Sequence, residues 1–126
     1  MMPLVSVVDD DASVRTSLHR LFRSARIDVQ VFASAEEFLN SNHPGREDCL
    51  VLDVRLPGMS GIELHRELVG RGYEVPAIFI TAHASDDRAR SEAASDWTVA
   101  YFTKPFSGDE LLDAVNAALA WTRGGG

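Results

Sequence analysis

The stretch VSVVDDD, residues 5–11, runs an apolar, strand-like segment straight into three consecutive carboxylates, Asp9, Asp10 and Asp11. Like charges about 4 Å apart repel by roughly 4 kcal/mol at an effective dielectric near 20. Such a cluster either stays in water or holds a cation. Other short apolar runs also end in polar groups: Asp53 closes CLVLD, Thr81 closes PAIFIT, and Lys104 follows VAYFT and precedes Pro105. A carboxylate can attack phosphorus as a nucleophile. A hydroxyl can donate to a phosphoryl oxygen, and an ammonium can place a point charge beside one. Phosphoryl transfer asks a protein mainly for positioning and charge neutralisation, which this set could supply. Each residue alone has a plainer reading: Asp11 as a helix N-cap, Asp53 as a turn residue, Thr81 as a structural hydroxyl, Lys104 as a surface charge. It is their joint placement on successive segment ends that favours chemistry.

The segments that must carry them follow from periodicity. LVSVV (4–8), IDVQVF (27–32), CLVLDV (49–54), PAIFIT (76–81) and VAYFT (99–103) have strand length and β-branched or aromatic content. Between the first two, Val14, Leu18, Leu21 and Phe22 fall at i, i+4, i+7 and i+8, the apolar stripe of an amphipathic helix. Ser34 with Glu37, Ser60 with Glu63, and Ser107 with Glu110 fit the S-x-x-E capping box and predict three further helix starts. Residues 84–96 are helix-compatible but weakly amphipathic, with Ala89 and Ala93 as the best apolar pair. Strands alternating with helices predict an α/β fold, a five-stranded parallel sheet covered on both faces. The central runs are nearly continuously apolar, as doubly buried strands are, whereas IDVQVF alternates as an edge strand does. Ligands of such sheets bind outside the carboxyl ends of the strands, and the polar residues named above all lie there.

Composition limits the alternatives. A chain of 126 residues is one domain by its length, and 45% hydrophobic with 25% charged residues is ordinary for a globular protein. A formal net charge of −7 argues against direct contact with nucleic acid, which needs clustered Lys and Arg. The single Cys49 opens an apolar run and reads as a small buried hydrophobe. No apolar stretch is long enough to span a bilayer, and the first residues lack the pattern of a signal peptide, so the expected location is cytoplasmic, without a membrane partner. His19, His43 and His65 have no metal-ligand spacing and are expected at the surface or its boundary.

The segments VVDDD, LVLDVRLPGMSGIEL, PAIFITAHA and YFTKPF resemble the receiver (phosphoacceptor) domain of two-component response regulators, over residues 4–121. The resemblance implies a flavodoxin-like sheet of order 2-1-3-4-5 with five flanking helices. It implies Asp53 as the phosphoacceptor and Mg2+ as cofactor, held by Asp10, Asp53 and the backbone carbonyl of Arg55, with Asp9 acting through water. Thr81 and Lys104 would contact the phosphoryl oxygens, and Tyr101, three residues before Lys104, would be the aromatic switch. Arg55 and His83, each two residues beyond a site residue, are candidates for tuning the phosphoryl lifetime.

The implied partners are a sensor histidine kinase or a histidine phosphotransfer protein, with a phosphorylation-dependent homodimer through the fourth helix, fifth strand and fifth helix. Residues 1–121 would form the receiver and 122–126 a tail or the start of a linker. The wording ITAHA and TKPF resembles receivers of regulators with a C-terminal helix-turn-helix, so the output would be transcription through a domain outside this chain; a stand-alone receiver acting by protein contact is the alternative. Trp97 and Thr98 depart from the Gly-Ala that many receivers carry there, which leaves the output surface open. A Mg2+-dependent aspartyl phosphohydrolase would want D-x-D where this chain has Asp53-Val54-Arg55. A flavodoxin-like cofactor binder would want a glycine- and hydroxyl-rich loop where the three acids stand. The expectation is therefore a signalling module that turns over no independent substrate.

Overall fold

The computed structural model describes residues 2–41, 44–82 and 87–123. Its elements alternate along the chain: β1 (Leu4–Val8), α1 (Ala12–Ser24), β2 (Asp28–Phe32), α2 (Ala35–Leu39), β3 (Cys49–Asp53), α3 (Gly61–Gly70), β4 (Ala77–Thr81), α4 (Asp87–Ala93), β5 (Thr98–Thr103) and α5 (Gly108–Arg123). All strand pairs are parallel and the order is β2-β1-β3-β4-β5. The strand order reverses beside β1, between β1 and β3, where doubly wound sheets bind their ligands.

Alternation within the central strands builds two cores. Cys49 and Val51 of β3 face one side with Val5 and Val7 of β1, against Leu18 and Phe22 of α1 and Leu111 and Val115 of α5. Leu50 and Leu52 face the other side, against Phe38 of α2, Leu64 and Leu68 of α3, and Phe79. Every residue of β3 and β4 is buried, whereas β2 and β5, the edges, are mostly half-buried. Removing a large apolar side chain from either core, as in Phe79→Ala, costs about 3–5 kcal/mol.

Local signals set the helix starts. Asp11 is the N-cap of α1, its carboxylate accepting from the amides of Ser13 and Val14. The Ser60–Glu63 box closes in both directions, at 3.1 and 3.2 Å. At Ser34 and Ser107 the hydroxyl accepts from the amides of Glu37 and Glu110, and among the described hydrogen bonds the reciprocal half is absent. Cys49 is buried as expected, and burial pushes its thiol up to about 12.

The expected surface or boundary location of His65 is corrected. It is 3% exposed, with Nε2 2.9 Å from the Val75 carbonyl and its ring edge-on to Phe79. His19 is exposed, and His43 lies outside the described residues.

Candidate functional site

Three loops at the carboxyl edge of the sheet bring the predicted residues together. Asp9 follows β1, Asp53 ends β3, and Lys104 follows β5, joined to Pro105 by a cis peptide bond. Carboxylate oxygens of Asp9, Asp10 and Asp53 all lie within 4.8 Å of one another. Asp9 and Asp53 are 1% and 5% exposed, and Asp10 is exposed. The Lys104 ammonium bridges the two buried acids, 2.9 Å from Asp9 Oδ2 and 3.1 Å from Asp53 Oδ2.

The remaining oxygens are aimed by backbone amides. Asp9 Oδ1 accepts from the Asp11 amide at 2.9 Å, and Asp53 Oδ1 accepts from the Arg55 amide at 3.0 Å. Gly61, at the start of α3, packs so tightly on the Asp53 carbonyl that a Cβ there would run into it, which is why the loop can return directly beneath the strand end. Thr81, fully buried at the end of β4, accepts the Lys104 amide on its own carbonyl at 2.7 Å. Tyr101 is half-buried on β5 with the Arg90 guanidinium 4.9 Å from its ring centroid. His83 lies outside the described residues.

Burial, and then the neighbouring Asp9 charge, raise the Asp53 carboxyl above its ordinary value, and the Arg55 amide and Lys104 offset part of that. Burial opposes the charge on Lys104, yet its bonds to Asp9 and Asp53 outweigh it and leave the ammonium raised. A single ammonium among three acids leaves an excess of negative charge. Asp9 Oδ2 is buried and meets the Lys104 ammonium as an ion pair. An all-oxygen donor set with a surplus of negative charge fits a small hard cation, the chemistry of Mg2+.

One contributor was not visible in the sequence. Arg15, on α1, donates from Nη1 to the Asp9 main-chain carbonyl at 2.8 Å and braces the turn that presents the acids. A guanidinium-to-backbone contact leaves no pattern by which to find it.

Fold and site thus define a doubly wound α/β domain with a cation-competent acidic pocket at its topological switch point. The model of the response regulator receiver domain matches residues 5–116, and the chain belongs to that family. It is 48% identical to Nodulation protein W of Bradyrhizobium diazoefficiens over 115 residues, covering 91% of this chain and 50% of that protein. It is 43% identical to the Transcriptional regulatory protein TdiR of Thauera aromatica over 119 residues, 94% of this chain and 52% of that protein. The chain therefore spans about half the length of these relatives. The solved FixJ-N structure superposes with a TM-score of 0.82 at 34% identity, covering 94% of each chain. Among the described residues, no helix is long and apolar enough to cross a membrane.

Proposed function

We propose that residues 1–121 are the phosphoacceptor module of a two-component system in the cytoplasm, with residues 122–126 leading into a linker. The observation that supports this most is the Lys104 ammonium held between Asp9 and Asp53 inside the acid cluster. A carboxylate oxygen of Asp53 attacks the phosphorus of a phosphohistidine on a sensor kinase or phosphotransfer protein. The P–N bond breaks, and the leaving imidazole keeps the electron pair and takes up a proton. In the reverse direction of signalling, water attacks phosphorus, the P–O bond to Asp53 breaks, and inorganic phosphate leaves. Asp10, Asp53 and the Arg55 carbonyl would hold Mg2+ directly, and Asp9 through water. Bound there, the ion neutralises negative charge on the phosphoryl oxygens.

Lys104 and Thr81 then act on those oxygens, the ammonium as a point charge and the hydroxyl as a donor. A phosphoryl group adds about −1.5 to −2 charge, which draws Thr81 inward and gives Tyr101 room to turn. Arg55 and His83 tune the phosphoryl lifetime. The signal leaves through α4, β5 and α5, by self-association, to control transcription through a domain outside this chain. The module itself turns over no independent substrate.

Intact mass after acetyl phosphate treatment tests the reading. With Mg2+ the protein gains one phosphoryl group; with chelator, or in Asp53→Asn, it gains none. Undiminished labelling of Asp53→Asn would reject Asp53 as the acceptor.

A further inference from the structure

We infer that Glu36 of α2 is a positioning residue for the loop between β3 and α3, and that its hold on this loop sets the pocket's cation affinity and the rate of phosphoryl gain at Asp53. Both effects rest on the Mg2+ ligands proposed above, and the second rests also on Asp53 as phosphoacceptor. The ends of the loop are fixed by its own backbone. The Arg55 amide bonds Asp53 Oδ1 at 3.0 Å, and the Gly61 amide bonds the Val54 carbonyl at 3.2 Å. Leu56 is buried beneath it.

The crest of the loop is held from another element. The Met59 amide donates to Glu36 Oε2 at 3.0 Å, across 23 positions of sequence. Gly58 lies at φ +75 against the same carboxylate, where a Cβ would sit 2.9 Å from Oε2. The Met59 amide, with the residue's own amide second, holds the Glu36 carboxyl below its usual range, so it is an ionised acceptor at neutral pH. Its platform is firm. Ser34 caps α2, and Phe38 is buried with its ring edge-on to Phe32 at 5.3 Å. Glu36 is thus a fixed post on α2 to which the crest is tied. Cutting that tie loosens the segment whose Arg55 carbonyl would serve as a cation ligand, without touching any of the three acids.

Magnesium titration of the unphosphorylated protein, by calorimetry, reads this directly. Glu36→Ala should weaken Mg2+ binding by up to about tenfold, no more than the low end of what losing a direct partner of a metal ligand costs, because Glu36 acts on the loop and not on a ligand. It should slow single-turnover labelling by acetyl phosphate in parallel. Glu36→Gln keeps an oxygen acceptor and should restore most of both. The melting temperature should be the same in all three proteins, because Glu36 is exposed. Wild-type Mg2+ affinity in Glu36→Ala would overturn the inference. So would Glu36→Gln as weak as Glu36→Ala, which would assign the effect to charge, or a loss that tracks melting temperature. If no protein is labelled while the Mg2+ difference stands, the phosphoacceptor reading fails and the positioning role survives.

Discussion

Helices α4 and α5 flank the same edge strand, yet they are held in very different ways. The α5 helix runs for 16 residues and buries Leu111, Val115, Ala118 and Leu119. The α4 helix runs for 7, and of its described side chains, Arg90 to Ala93, only Ala93 is buried. Its ties are polar: Arg66 Nη2 donates to the Glu92 carbonyl at 3.1 Å, the Thr98 hydroxyl bonds the Ala93 carbonyl, and Arg90 lies over Tyr101. The strands repeat the contrast, since β3 is buried throughout and β5 is half-buried throughout. Asp53, the proposed acceptor, stands on the stiff side and the proposed switch on the lightly packed one. A conformational element can be shifted by a local charge only if its alternative states differ by a few kcal/mol, and α4 with β5 is where the packing allows that.

The largest expected effect falls on the stiff side. Replacing both Asp9 and Asp10 with Asn removes two negative charges from the pocket and should weaken Mg2+ binding by more than about tenfold, measured by titration. Unchanged affinity would mean that the cluster is solvated, with no part in holding an ion. Next comes stability. Leu111→Ala should cost about 2–5 kcal/mol in urea unfolding, whereas Ser91→Ala on α4 should stay within about 0.5 kcal/mol of wild type. Equal losses would erase the contrast between the helices.

A smaller effect concerns His65, which lies behind α4. Burial lowers its imidazole below the ordinary 6.5, and the Val75 carbonyl offsets part of that. The unfolded chain therefore binds the proton more readily than the folded one. Stability should be unaffected above the unfolded value of 6.5 and should fall as pH drops below it toward the folded value. Urea midpoints across that range should decline in wild type and decline less in His65→Gln.

The strands, their buried centre and the convergence of Asp9, Asp10, Asp53 and Lys104 were legible in the sequence, because nearly continuous apolar runs of strand length ending in polar residues fix both the sheet and its carboxyl edge. The receiver resemblance supplied the strand order. His65 was misjudged although a signal existed: Ile62, His65 and Leu68 share the three-residue spacing of the buried stripe of α3, and a polar ring on that stripe is a buried ring. The Arg15 and Glu36 contacts were not legible, since a side chain reaching a distant backbone group depends on how the loops close and not on any local pattern.

On the proposed function, a phosphoryl group at Asp53 moves α4 and β5 while β1 and β3 stay still. Amide hydrogen exchange, read by mass spectrometry with and without beryllofluoride and Mg2+, tests it most directly. In wild type, exchange should slow in the loop after Asp53 and change across residues 90–103, with β1 and β3 unaltered; Asp53→Asn should show none of this. A change confined to the pocket loops, or one across residues 90–103 that persists in Asp53→Asn, would contradict the claim.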